Sequence, residues 1–273
     1  MTQSVHGSEQ TADPEPESHW TRRFARLTAL NILANITVPL VGLVDTAMLG
    51  HLSDIRFLGG AALGAVVFDY LFWTLGFLRM STTGLTAQAV GRRELVEAER
   101  TLLRSAGIAL ACGLGLLALR EPLANGAFSL LSGDAVTEGA GRDYFFARLC
   151  GAPAALLNLA FFGWFLGREE SRVALVMTLV ANGANLVLDY LFILRFGWAA
   201  AGAGYATAVS QYLMLAVAVI YYLPRRQVLG SWQGLLEKER LRELLFLNRD
   251  IIGYGNDSGQ SGHFALGGSK TVL

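Results

Sequence analysis

Three carboxylates, Asp45, Asp69 and Asp189, stand inside long apolar stretches of this sequence. At the centre of a membrane-crossing helix an ionised side chain costs roughly 2.5–3.5 kcal/mol, so each asks for a task or a partner. Asn185 precedes Asp189 by four residues and Asn182 by seven, which puts two amides on the helix face of the acid. Thr207, on the next apolar stretch, adds a hydroxyl. Burial penalises the charge, so a carboxylate among amide and hydroxyl oxygens gains from whatever neutralises it, a proton or a hard monovalent cation. The competing use of the same residues is a hydrogen-bonded seam of Asp, Asn and Thr between helices. Asp69, beside Tyr70, is balanced between lining a cavity and pairing with a polar neighbour. Arg79 and Arg148 are placed near span ends, where a long side chain snorkels to the surface.

Other chemistries find little support. Two acids sharing a proton cleave peptide bonds in some enzymes, but Gly42-Leu43-Val44-Asp45 and Asp189-Tyr190 only approximate what an intramembrane aspartyl protease needs. There is no Walker-type loop, Ser/His/Asp pattern or metal-ligand cluster. No enzymatic activity, metal or cofactor is expected beyond a coupling ion, H+ or Na+. Cys112 and Cys150 lie in apolar stretches without metal spacing and read as packing residues.

The elements that must carry these residues are membrane helices. Over 273 residues, 53% are apolar and 16% charged, with a mean hydropathy of +0.41. Twenty-two Lys and Arg balance twenty-two Asp and Glu, which disfavours a nucleic-acid partner. Six apolar blocks, each near the roughly 20 residues a spanning helix requires, run over 24–50, 58–80, 102–119, 144–166, 173–194 and 198–223. Pro39 and Pro153 imply kinks in the first and fourth. Residues 1–21 have the composition of a disordered tail, 22–226 form the six-helix unit, 227–251 an amphipathic linker helix, and 252–273 a Gly/Ser-rich tail. Arginines crowd alternate loops (Arg92, Arg93, Arg168, Arg172, Arg225, Arg226), so both termini are expected in the cytoplasm. At 1.5 Å per residue, Asp45 lies about 28 Å and Asp189 about 26 Å from that side, and Thr207 about 13 Å below the opposite one.

The strings Asn35-Ile36-Thr37-Val38-Pro39-Leu40, Gly42-Leu43-Val44-Asp45-Thr46-Ala47, Phe77-Leu78-Arg79-Met80-Ser81-Thr82-Thr83-Gly84 and Asn185-Leu186-Val187-Leu188-Asp189 resemble the multidrug and toxic compound extrusion (MATE) transporters, in particular their DNA-damage-inducible bacterial branch. The likeness covers about residues 22–251. It implies an all-α polytopic protein, a six-transmembrane-helix bundle similar to one lobe of a twelve-helix, two-lobed antiporter. It also implies exchange of H+ or Na+ for amphipathic, often cationic, organic compounds across the bacterial cytoplasmic membrane. The resemblance transfers cation binding to Asp45, Asn185, Asp189 and Thr207 and adds Asn158 to Asn182 and Asp69 as cavity residues. Two departures stand out. Ala29-Leu30-Asn31-Ile32 replaces an early proline that many relatives carry, and the matching sequence stops near Asp250. The expectation is a truncated N-terminal lobe; otherwise a functional half pairs with a second six-helix lobe or a second copy. The alternatives are an inert or scaffold membrane half-protein and a lipid-linked saccharide flippase, which would favour a strongly basic cavity.

Overall fold

The computed structural model describes residues 32, 42, 46–50, 56–130, 134–226 and 244. Asp45, Pro39, both tails and most of the first apolar block lie outside these residues, as does the linker apart from Leu244, which is helical and buried. Among the described residues every regular element is a helix.

Helix α1 (Arg56–Leu75) runs with a slight interruption at Gly76 into α2 (Phe77–Gly91). After a tight turn come α3 (Leu95–Ala118), the short α4 (Arg120–Leu130) and α5 (Ala135–Leu149). Next follow α6 (Ala152–Gly167) and α7 (Ser171–Asp189), which continues as a π-helical turn over Tyr190–Arg195. Last is α8 (Ala199–Tyr222), closed by a 3-10 turn, Leu223–Arg225. Among the described residues, four stretches are long and apolar enough to cross a membrane: Arg56–Gly91, Leu95–Ala118, Ser171–Arg195 and Ala199–Arg225. Helices α5 and α6, bent by 53°, together make a fifth.

This corrects three expected boundaries. The second span extends through Gly91 rather than ending near residue 80, and the third starts at Leu95 rather than residue 102. The fourth begins at Ala135, nine residues before the expected start at residue 144. Glu138, Arg142 and Asp143 dilute the apolar signal there, yet Arg142 is satisfied by Glu138 and Asn125, so the helix holds.

The bent span is central, with α5 packed on α1 and α8, and α6 packed on α2 and α3. Its break falls at Cys150 and Gly151. Pro153, at the start of α6, has no amide to extend α5. The Tyr212 hydroxyl donates to the Cys150 carbonyl at 3.0 Å, satisfying an acceptor at the break. A Cβ on Gly151 would lie 2.6 Å from the Ala208 Cα, so glycine is what lets α8 cross here. Cys150 itself is exposed, a correction to its reading as a packing residue.

Along the α1–α5 seam, a Cβ on Gly60 would fall 2.5 Å from the Ala140 Cβ, and one on Gly64 2.6 Å from the Gly141 carbonyl oxygen. This small-xxx-small pair lets two backbones touch where there is no water to drive association.

Arginine-rich turns gather at one end of the bundle. Gly91-Arg92-Arg93-Glu94 and Gly167-Arg168-Glu169-Glu170 have the same construction, with the third residue left-handed at φ 61° and 60°. In each, the arginine Nε bonds the glutamate at 3.0 Å. Glu170 also accepts from Arg225 Nε at 2.7 Å, tying the end of α8 to the α6–α7 turn. Nearby, buried Glu99 accepts from the Tyr222 hydroxyl at 2.5 Å, and the Trp164 indole donates to the Ala98 carbonyl at 3.0 Å.

Candidate functional site

A cavity of about 410 Å³ opens among α1, α5, α7, α8 and the described part of the first apolar block. Its polar lining is Thr46, Asp69, Tyr144, Arg148, Asn182, Asn185, Thr207, Ser210 and Gln211. Four of the residues singled out from the sequence, Asp69, Asn182, Asn185 and Thr207, thus line one cavity. The helical period explains the α7 side, because residues 182, 185 and 189 recur at three- and four-residue steps. On α8 the same spacing joins Ala203, Thr207 and Gln211. The Thr207 hydroxyl donates to the Ala203 carbonyl at 3.0 Å, which leaves its lone pair to accept from Asn185 Nδ2 at a long 3.5 Å.

Asp189 closes α7 and is fully buried, at 0% exposure, and is not among the residues that line the cavity. The π-helical turn begins at the next residue. Such a turn widens the helix by one residue and leaves backbone groups differently aimed, a distortion frequent at functional positions. Asp45 lies outside the described residues; Thr46, which follows it, lines the cavity and bonds the Gly42 carbonyl at 2.8 Å.

Asn158 does not line the cavity. It is 3% exposed, and its Nδ2 donates to the backbone oxygen and Oε1 of Gln211 at 2.9 and 3.0 Å. Its role here is to hold Gln211, which does line the cavity.

Arg148 departs furthest from its expected place. With the fourth span starting at Ala135, it lies thirteen residues, about 20 Å, along the helix. Asp69 lies thirteen residues along α1 from Arg56, so both reach about the same depth from the same end. Arg148 Nη2 donates to Asp69 Oδ1 at 3.3 Å, and Nη1 donates to the Tyr144 hydroxyl at 3.0 Å. Its guanidinium carbon stands 4.1 Å from the centre of the Phe68 ring and 5.7 Å from that of Tyr144. It is a cation fixed between aromatic faces and a carboxylate, not a snorkelling side chain. A smaller recess of about 180 Å³ opens on its other side, lined by Phe68, Phe72, Gly151, Ala155 and Leu159, and shares Arg148, Thr207 and Gln211 with the larger one. The matched thirteen-residue depths were the signal in the sequence, hidden by the misplaced span start.

Known proteins resemble this chain over most of its length. The MatE family model matches residues 31–191. DNA damage-inducible protein F of Escherichia coli K12 is 40% identical over 225 residues, 81% of this chain and 49% of that protein. A probable multidrug resistance protein NorM of Listeria monocytogenes is 24% identical over 246 residues, 87% of this chain and 52% of its own length. The chain therefore spans about half the length of these relatives. Among solved structures, a MOP superfamily transporter from Pyrococcus furiosus superposes with a TM-score of 0.75 at 21% identity. That match covers 85% of this chain and 54% of the other, which ties this fold to one half of that transporter. An outward-facing multidrug resistance MATE family transporter gives the same TM-score at 20% identity.

Proposed function

Since this chain belongs to the MatE family, we propose that it is the ion-coupling half of an exporter of amphipathic organic compounds, driven by H+ or Na+ across the bacterial cytoplasmic membrane. The arginine-rich turns and both termini face the cytoplasm in this reading. A second six-helix body, a further lobe or a second copy, closes the cavity from the other side.

The observation that carries the proposal is the complete burial of Asp189, about one helical turn past Asn185, whose contact with Thr207 lies on a cavity large enough for a small organic molecule. A carboxylate so placed differs sharply in energy between its charged and neutralised states. Uptake of a proton or Na+ therefore favours whichever packing buries it most completely, and release favours the one that hydrates it. The ion shifts a two-state equilibrium by its differential affinity alone. The membrane potential adds about 2.3 kcal/mol per charge per 100 mV. Substrate and ion then exclude one another because each prefers a different facing state, which is what antiport requires.

The test is reconstitution of the chain, together with the second six-helix body that closes its cavity, in proteoliposomes with a fluorescent cationic amphiphile and an imposed H+ or Na+ gradient. Gradient-dependent efflux is expected, and Asp189→Asn removes it while membrane insertion stays normal. Efflux that is unchanged in the Asn variant refutes the assignment.

A further inference from the structure

Among the described residues lining the two recesses, Arg148 is the one basic side chain, and it borders both. It is positioned, not merely accommodated. Phe68 and Tyr144 hold the guanidinium plane, and the Tyr144 hydroxyl takes Nη1. What remains is the edge formed by Nε and Nη2, the side of the fork that grips a carboxylate with two parallel bonds. Asp69 meets this edge with a single contact of 3.3 Å through Nη2. Nε is buried and has no acceptor among the described residues. The Asp69 side chain is meanwhile 68% exposed, a carboxylate leaning on its partner rather than enclosed with it.

We propose that the Nε/Nη2 edge of Arg148 is the recognition site for a carboxylate on the transported compound, and that Asp69 is its resident place-holder. The inference deepens the exporter reading and rests on it for the direction of movement, though not for binding. An incoming carboxylate that engages both donors satisfies the nitrogen that Asp69 leaves unmet. Asp69, displaced, turns to a cationic group on the same molecule. This exchange keeps the site neutral at every stage, whereas a simple cation drawn to Asp69 strands the guanidinium without its counter-ion in a poorly hydrated place. The small recess gives the body of the ligand. At about 180 Å³, with Phe68, Phe72 and Leu159 in its walls, it exceeds the roughly 150 Å³ in which an apolar cavity holds benzene. The class that fits is an aryl carboxylate carrying a separate cationic group, ring in the recess and acid on Arg148.

The experiment compares two xanthene dyes of one shape, one with a free benzoate and one with its methyl ester. At neutral pH the first is a zwitterion and the second a cation. Each is titrated into the purified 273-residue chain in lipid nanodiscs and followed by fluorescence anisotropy. The acid is expected to bind tighter than the ester by about tenfold or more, since a site built for a polar group rejects the analogue that lacks it. The double variant Asp69→Asn/Arg148→Gln keeps the site neutral and erases the preference. Arg148→Lys, which keeps the charge but not the two-donor edge, lowers it to about two- or threefold, and decides the matter if the double variant does not fold. Equal binding of the two dyes, no saturable binding of either, or a preference that survives both variants overturns the proposal. The two readings fail separately. Acid preference without gradient-driven efflux sinks the exporter and leaves Arg148 in place. Gradient-driven efflux with indifferent dye binding does the reverse.

Discussion

At the scale of single residues, the polar groups inside this bundle divide between the cavity and the arginine-rich end. Glu99, 1% exposed, accepts a 2.5 Å bond from Tyr222 far from either recess, which marks it as a fastening between α3 and α8. Tyr222→Phe removes a bond to a buried acid and is expected to cost about 1–3 kcal/mol. A thermal-unfolding series on Tyr222→Phe, Glu99→Gln and the double variant reads the coupling, and strict additivity would count against a direct partnership. The residues that the sequence disclosed were those whose neighbours are local. Asn182, Asn185 and Asp189 declare a common face because one helix period relates them. Asp69 and Arg148 are 79 positions apart, and each alone looks like an isolated charge. Asn158 shows the opposite failing: its polarity was plain, but whether it faced the cavity or Gln211 depended on how α6 meets α8.

At the scale of elements, the α1–α5 seam sets the distance between Asp69 and Arg148, because Gly60 and Gly64 lie two turns and one turn before Phe68 on the same face. Gly60→Ala drives a methyl into Ala140 and is expected to destabilise the chain by about 1–3 kcal/mol and to separate the ion pair. Gly107, in the interior of α3 with nothing near its missing Cβ, is the control. There Ala is expected to be neutral or to stabilise by about 0.5–1 kcal/mol. Scanning unfolding of both variants distinguishes a packing glycine from an incidental one, and equal behaviour contradicts the seam. Apolar blocks announced the spans, and Pro153 announced the bend. The short α4 escaped notice because Arg120, Glu121, Pro122 and Asn125 give it neither apolar length nor a clean period. The start of α5 escaped because a partnered Arg and Glu on a helix look, in sequence, like a loop.

At the scale of the whole molecule, charge is sorted between the two ends of the bundle, and that sorting predicts orientation. In a background with Cys112 and Cys150 replaced by Ala, a membrane-impermeant maleimide added to intact cells should label Glu121→Cys and should reach Arg172→Cys only after permeabilisation. The inverse pattern reverses the proposed topology. The all-helical, membrane-spanning architecture was legible because lipid demands long apolar helices whatever their arrangement. The cavity was not, since its walls come from helices distant in sequence, and half of the relatives' length lies beyond this chain. The duplicated Gly-Arg-x-Glu turns bear on how such a protein is made. Their backbone hydrogen bonds and the Arg–Glu bond inside each turn close within a few residues, Arg93 and Glu94 reaching back to Val90 and Ala89, and Glu169 and Glu170 to Leu166 and Phe165, so that the Arg225 contact to Glu170 is an addition made later. Each turn can therefore set as soon as it leaves the ribosome, before any distant helix exists. Biogenesis then proceeds by ready-made hairpins, each delivered to the bilayer with its polarity already decided.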